Sequence, residues 1–308
     1  MIARLLAALA LILPAALAAQ EPTTEELAAA KAASQALFQG RYLEASDILR
    51  RLAFHTSGTP RPGFAHDQWL AMQTLMVGEP PLPSRPGEPV SAAETAQLAA
   101  ATLKPALAEI VARARKTRVV ILNEDHGLPR SRAFALEVAR ALRPLGYTVL
   151  AAETFNNWDD ANRAAVIAMT RTGYPTQKTG YYTADPVFGD LVRQSLALGY
   201  RPLSYEITAA DRSGDGPVGI AVREEAQANH LAAALKADPA AKMLVYVGYA
   251  HLAEEPLPTG EAERTPWMAA RLKAKTGIDP LTVEQTAEGR VISLHGEAEL
   301  RPQQIVVP

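Results

Sequence analysis

The chain has 308 residues, with 31 lysines and arginines against 33 aspartates and glutamates, a formal net charge of −2 and no cysteine. Near-balanced charge leaves no footprint for a nucleic acid, and the missing cysteine excludes disulfides, thiolate metal sites, a cysteine nucleophile and a lipoprotein lipid attachment. Stability has to come from a buried core, and the length is sufficient for one α/β domain with a small appendage.

Residues 1–18 read as a secretory signal peptide. Arg4 supplies the positive start, Leu5 to Leu13 the apolar stretch and Ala16-Leu17-Ala18 an A-x-A cleavage pattern. The mature chain is expected to begin near Ala19 and to be exported to a bacterial periplasm or beyond. No stable membrane anchor is expected, because no later stretch is long and apolar enough to be one.

Residues 19–56 predict a helical hairpin. Thr23-Thr-Glu-Glu26 is a capping box opening a helix through Phe38, and Gly40-Arg-Tyr opens a second through Ala53. The spacing of Ala36, Gly40, Tyr42, Ala45 and Leu49 resembles a single tetratricopeptide unit with no second copy, so the hairpin reads as a cap on the main domain, with a docked protein partner as the other reading. Residues 57–90, rich in Pro and Gly, read as a linker, with His55, His66 and Trp69 in or beside it as surface residues. A second capping box, Ser91-Ala-Ala-Glu94, then opens the α/β domain over 91–308, and Leu103, Leu107, Ile110, Val111 and Ala114 recur on one helical face.

Val119 to Leu122 form an apolar run without alternation, the pattern of a strand covered on both faces of a parallel sheet, and it breaks off into Asn123, Glu124, Asp125 and His126. The same pattern recurs. Thr148 to Ala152 ends in Glu153, Arg201 to Ser204 ends in Tyr205 and Glu206, and Lys242 to Ala250 ends in His251. Helices are expected over Ser131–Leu142, Asp185–Leu198, Gly219–Leu235 and Trp267–Lys275, with strands near Leu281–Gln285 and Val291–Leu294. The expected fold is therefore α/β, a mainly parallel sheet flanked by helices with the helical hairpin at its amino terminus. Parallel strands of this kind would bring Glu124, His126, Glu153, Glu206 and His251 to the carboxyl edge of the sheet, where open α/β sheets bind ligands.

Arg132 stands in the first turn of its helix, where the dipole disfavours a cation, so a functional place is one of its two readings. The stretch from Thr154 to Pro186, with Trp158, Tyr174, Tyr181 and Tyr182, reads as a long excursion at the same edge, either pocket wall or core staple. It lacks the spacing of a calcium loop.

Asn123-Glu-Asp-His126, Arg132, Glu153, Arg223-Glu-Glu-Ala-Gln-Ala-Asn229 and Gly248-Tyr-Ala-His251 together resemble the erythromycin esterase/ChaN-like superfamily, over roughly residues 105 to 255. The single residue between Glu124 and His126 is closer to the ChaN-like branch, whereas Asn123 replaces the usual glycine. The resemblance implies an α/β fold and either macrolide-esterase-like hydrolysis or haem binding, with Arg223 among the site residues.

Two functional readings follow. In the first the chain is an exported hydrolase of an ester, lactone or similar acyl bond, with His126 activating water, Glu124 or Glu153 orienting it, and Arg132 and His251 stabilising negative charge. No Gly-x-Ser-x-Gly elbow is present, consistent with direct attack by water. Asn123, Tyr205, Glu206 and Arg223 are then expected to bind the substrate, and a divalent metal on His126, His251 and a carboxylate is a variant of the same reading. In the second the same edge binds haem or another small ligand, iron being held by a histidine or by the Tyr-rich excursion.

Overall fold

The computed structural model describes residues 22–77, 102–212, 219–258, 264–286 and 304–307. The signal peptide, the Ser91 capping box and the strand near Val291 lie outside the described residues. Two compact units divide the rest: the amino-terminal helices together with His126–Pro129, and an α/β unit.

Helices α1 (Thr24–Phe38) and α2 (Tyr42–Ala53) make the hairpin. The capping box is formed in both directions: Glu26 N donates to Thr23 Oγ1, and Thr23 N donates to Glu26 Oε2. Gly40, at φ +76°, supplies the left-handed residue that turns the chain between them. The linker expected over 57–90 is corrected in its first half, which holds a third helix, α3 (Phe64–Val77). Pro60, Pro62 and Gly63 punctuate the chain before this helix and leave its interior free of breakers. Ser46 accepts from Trp69 Nε1 at 3.2 Å and Gln73 Nε2 at 2.9 Å, and the Phe54 and Trp69 rings meet edge to face at 4.8 Å. His66 is buried beside Phe54, so it and Trp69 are packing residues of a three-helix unit and not surface loop residues.

In the second unit β1 (Thr102–Pro105) pairs antiparallel with β9 (Gln304–Val307). Leu103, expected on one helical face with Leu107 and Ile110, lies instead in β1, and α4 (Ala106–Ala114) begins after Pro105, which cannot sit inside a helix and caps it. The sheet is built from β2 (Val119–Glu124), β3 (Tyr147–Ala152), β4 (Arg201–Leu203), β5 (Lys242–Gly248) and β8 (Leu281–Val283). All are parallel, in the order β4, β3, β5, β2, β8. Helices α5 (Pro129–Leu142), α6 (Asp160–Thr172), α7 (Pro186–Ala197), α8 (Ile220–Ala237) and α9 (Met268–Thr276) connect or follow the strands, and β6 (Leu257–Pro258) and β7 (Arg264–Thr265) form a short ribbon.

The unalternated strands are buried on both faces. Val120, Leu122, Leu150 and Leu244 pack with α4, α5, α6 and α7 on one side, while Val119, Ile121, Met243 and Val245 pack with α8 and α9 on the other. The fold is α/β, a five-stranded parallel sheet between helical layers. The excursion after Glu153 contains α6, capped by Asp159 at its start and by Gly173, φ +80°, at its end. Among the described residues no helix is long and apolar enough to cross a membrane.

Candidate functional site

The register of the sheet sets Glu124, the last residue of β2, opposite Gly248, the last residue of β5. Glu124 meets Arg132 of α5 in a two-pronged contact, with Nε donating to Oε2 at 2.7 Å and Nη2 to Oε1 at 3.0 Å. Both side chains are sealed from solvent. Asp185 Oδ2 approaches Arg132 Nη1 to 3.1 Å, away from the ideal hydrogen-bond direction, while its Oδ1 caps α7 by accepting from Phe188 N at 2.8 Å. The Tyr182 and Phe188 rings each lie 5.4 Å from the guanidinium. Burial disfavours the Arg132 charge, but Glu124 and then Asp185 outweigh it and raise its pKa. The unfavourable helix-dipole position noted in the sequence is thus explained: Arg132 holds Glu124 and faces carboxylates, not the open edge.

A second cluster begins one strand over. Arg223, near the start of α8, reaches Glu206 through Nε, at 3.1 Å to Oε1 and 3.0 Å to Oε2, and through Nη2, which also pairs with Glu153. Glu153 Oε2 in turn accepts from Gly248 N at 2.5 Å, tying the end of β3 to the end of β5. His251 stands on the short turn after β5. Its Nδ1 lies 2.7 Å from Glu224 Oε1, off the best hydrogen-bond direction, and its Nε2 lies 3.1 Å from Arg223 Nη1 and 3.6 Å from Glu153 Oε1. Arginine has no acceptor, so its contact requires a bare Nε2 lone pair and places the proton of the neutral ring on Nδ1, toward Glu224. Glu224 is fully buried, and its other oxygen accepts from Met268 N at 2.7 Å, the first backbone donor of α9. The Trp267 ring packs edge-on against the imidazole at 5.6 Å. Burial opposes the imidazolium, and Arg223 does too, but Glu224 and Glu153 prevail and the His251 pKa is raised above its ordinary value.

The turn that presents His251 is strained. Tyr249 has φ +42°, a left-handed conformation rare for a bulky residue. Asn123 Nδ2 donates to Tyr249 O at 2.8 Å, and the Tyr249 hydroxyl donates to Asp125 at 3.1 Å, so the end of β2 holds the turn in place. Asn123 also exchanges bonds with Gln285, accepting from its backbone N–H at 2.6 Å and from its side chain at 2.5 Å.

Of the residues expected from the sequence, Glu124, Arg132, Glu153, Glu206, Arg223 and His251 are drawn into these two ion networks at the carboxyl edge. Asn123 and Tyr205, expected to bind substrate, are fully buried: Asn123 braces the turn, and the Tyr205 hydroxyl donates to Tyr246 O at 3.3 Å. His126 is buried and groups with the amino-terminal helices. Glu224, Asp185 and Trp267 were not singled out as site residues, although Glu224 lies within the Arg223–Asn229 motif and Asp185-Pro186 is a legible helix start.

Among the described residues no group of three or more His, Asp or Glu side chains is arranged to hold a metal ion. Haem ligation fits the described side chains poorly. Both ring nitrogens of His251 face protein partners, and burial pushes the Tyr181 phenol up to about 12 and raises Tyr182 as well, with Glu153 and Glu124 adding to the latter, which disfavours a tyrosinate ligand.

No protein-family model matches the chain, and no curated protein does. Solved structures that share part of its shape are bacterial toxins at low identity. RRSP, a MARTX toxin effector domain from Vibrio vulnificus, is 19% identical with a TM-score of 0.44, over 68% of this chain and 38% of that one. A structure described as bacterial protein toxins is 14% identical with a TM-score of 0.45, over 93% and 59%. The C-terminal region of Pasteurella multocida toxin, with a thiol-protease like catalytic triad, is 12% identical with a TM-score of 0.40, over 73% and 30%. This chain has no cysteine to build such a triad, and it spans less than two thirds of each of these proteins.

Proposed function

We propose that the protein is an exported hydrolase of an ester, lactone or similar acyl bond, in which His251 activates water. The observation that carries this reading is the Glu224–His251 pair, a buried carboxylate 2.7 Å from Nδ1 of a histidine whose Nε2 adjoins the Arg223 guanidinium. A histidine oriented by an acid on one nitrogen, beside a fixed cation, has the parts of a general base with a charge stabiliser. Reading the sequence alone put His126 in the base role; the contacts of His251 with Glu224 and Arg223 are the ground for placing His251 there. Six of the residues that carry the resemblance to the erythromycin esterase/ChaN-like superfamily, Glu124, Arg132, Glu153, Arg223, Glu224 and His251, take part in these ion pairs, which is compatible with the same reading.

In the reaction, Arg223 releases the Nε2 lone pair while Glu206 and Glu153 keep its charge compensated. Nε2 takes a proton from water as the water oxygen bonds to the acyl carbon. The oxyanion so formed faces Arg223, and the intermediate collapses as the leaving alkoxide takes the proton back from Nε2. Glu224 holds the ring and stabilises its charged form between the two transfers.

The test is a panel of carboxylic esters and lactones assayed between pH 6 and 9 with the wild-type chain, His251→Gln and His126→Gln. Removing the base lowers kcat by about a hundredfold to ten-thousandfold. Full turnover by His251→Gln, with loss in His126→Gln, returns the base role to His126; no turnover of any acyl substrate by the wild type rejects the hydrolase, and a Soret band on adding haem then favours the binding reading.

A further inference from the structure

The amino ends of the same strands carry a different chemistry. A cleft of about 540 Å³ opens there, lined by Arg115, Lys116, Thr117, Arg118, Lys242 and Asp279 among others. Its only acid among these, Asp279, is already paired with Lys273 at 2.5 Å. The four cations have no carboxylate partner among the described residues. Arg118 is fixed by a backbone carbonyl, donating from Nη1 to Pro239 O at 2.5 Å, and the Lys242 ammonium rests 5.5 Å from the Tyr147 ring centroid. Elsewhere in this unit Arg140 pairs with Glu137, Arg193 with Asp190 and Arg201 with Asp238.

The helix dipole accounts for part of this. Arg115 and Lys116 follow the carboxyl end of α4, where cations are favoured. It does not account for Arg118, which precedes β2, or for Lys242, which begins β5. Four like charges from the ends of a helix and two strands repel one another in one cleft, and a multivalent anion relieves that repulsion. Guanidinium forks and ammonium groups together suit phosphate oxygens. We propose that this cleft binds a ligand carrying several phosphate groups. The proposal is independent of the hydrolase reading, which concerns the carboxyl edge.

The experiment is calorimetric titration of the full chain with sodium tripolyphosphate at two salt concentrations, beside co-sedimentation with phosphatidylcholine vesicles containing phosphatidylglycerol. Tripolyphosphate is expected to bind, more weakly at high salt. Lys116→Glu with Lys242→Glu is expected to weaken binding by about tenfold or more, and Arg115→Glu, at an exposed position, to weaken it in the same direction. The charge-matched control Arg51→Glu with Arg171→Glu should leave it unchanged. Vesicle binding abolished by the same cleft variants assigns the phosphates to a lipid surface, and binding of tripolyphosphate alone assigns them to a soluble ligand. Absence of binding to both, or an equal loss in the control variant, overturns the proposal.

Discussion

Replacing Arg132 by methionine isolates what the buried ion array contributes. The side chain is of similar length and apolar, so packing against Tyr182 and Phe188 is largely kept while the charge is lost. Glu124 loses two charge-assisted hydrogen bonds, at 2.7 and 3.0 Å, and Asp185 loses a cation 3.1 Å away, in a place where neither carboxylate reaches water. Leaving buried charges uncompensated typically costs about 3–5 kcal/mol. Glu124→Gln is milder, about 2 kcal/mol, because Arg132 keeps Asp185 and the amide still accepts one bond. Since both changes remove the same contact, the double variant is expected to cost less than the sum of the two. Hydrogen exchange at the Ile121 and Leu244 amides reads opening of the central sheet without requiring the two units to unfold together. Arg132→Met is expected to lower their protection by about a hundredfold to several thousandfold, at one factor of ten per 1.4 kcal/mol. A loss of less than about fivefold, or strict additivity in the double variant, would falsify the view that these charges depend on one another.

Glu224→Gln is expected to lower the His251 pKa, because Glu224 is the foremost of the two carboxylates that raise it against burial. A histidine whose folded-state pKa is raised contributes stability that is present below the ordinary histidine value and lost as pH rises through the folded value. The stability gap between wild type and variant should therefore be widest in acid and narrow toward alkaline pH, and the acid limb of the rate profile should move to lower pH. NMR titration of the imidazole checks this, and an unchanged midpoint in the variant refutes it. Gly180→Ala should destabilise the edge beside Glu153 by about 1–3 kcal/mol or more, since an added Cβ would stand 2.0 Å from Thr154 O. Thermal melting measures it, and an unshifted Tm counts against the close approach.

Local patterns in the sequence determined the architecture. Unalternated runs such as Val119–Leu122 read as strands covered on both faces, and caps such as Thr23 and Asp185-Pro186 marked helix starts within a residue or two, because both signals depend on neighbours along the chain. The strand ends also marked Glu124, His126, Glu153, Glu206 and His251 for one edge, as parallel pairing implies; Glu153, Glu206 and His251 share Arg223 there and Glu124 takes Arg132, whereas His126 groups with the amino-terminal helices. What they do there was decided by tertiary structure. That Arg132 takes Glu124 and Asp185, that Glu224 and not a strand-end acid holds His251, and that Asn123 braces the Tyr249 turn depend on which polar groups share a space without water. The same holds for α3, where proline and glycine suggested a linker but Trp69 and Gln73 found Ser46 across the helices. Periodicity reports which face of an element is buried; it carries no record of the partner, because the energy of a buried ion pair or hydrogen bond is set by contacts between residues far apart in the chain.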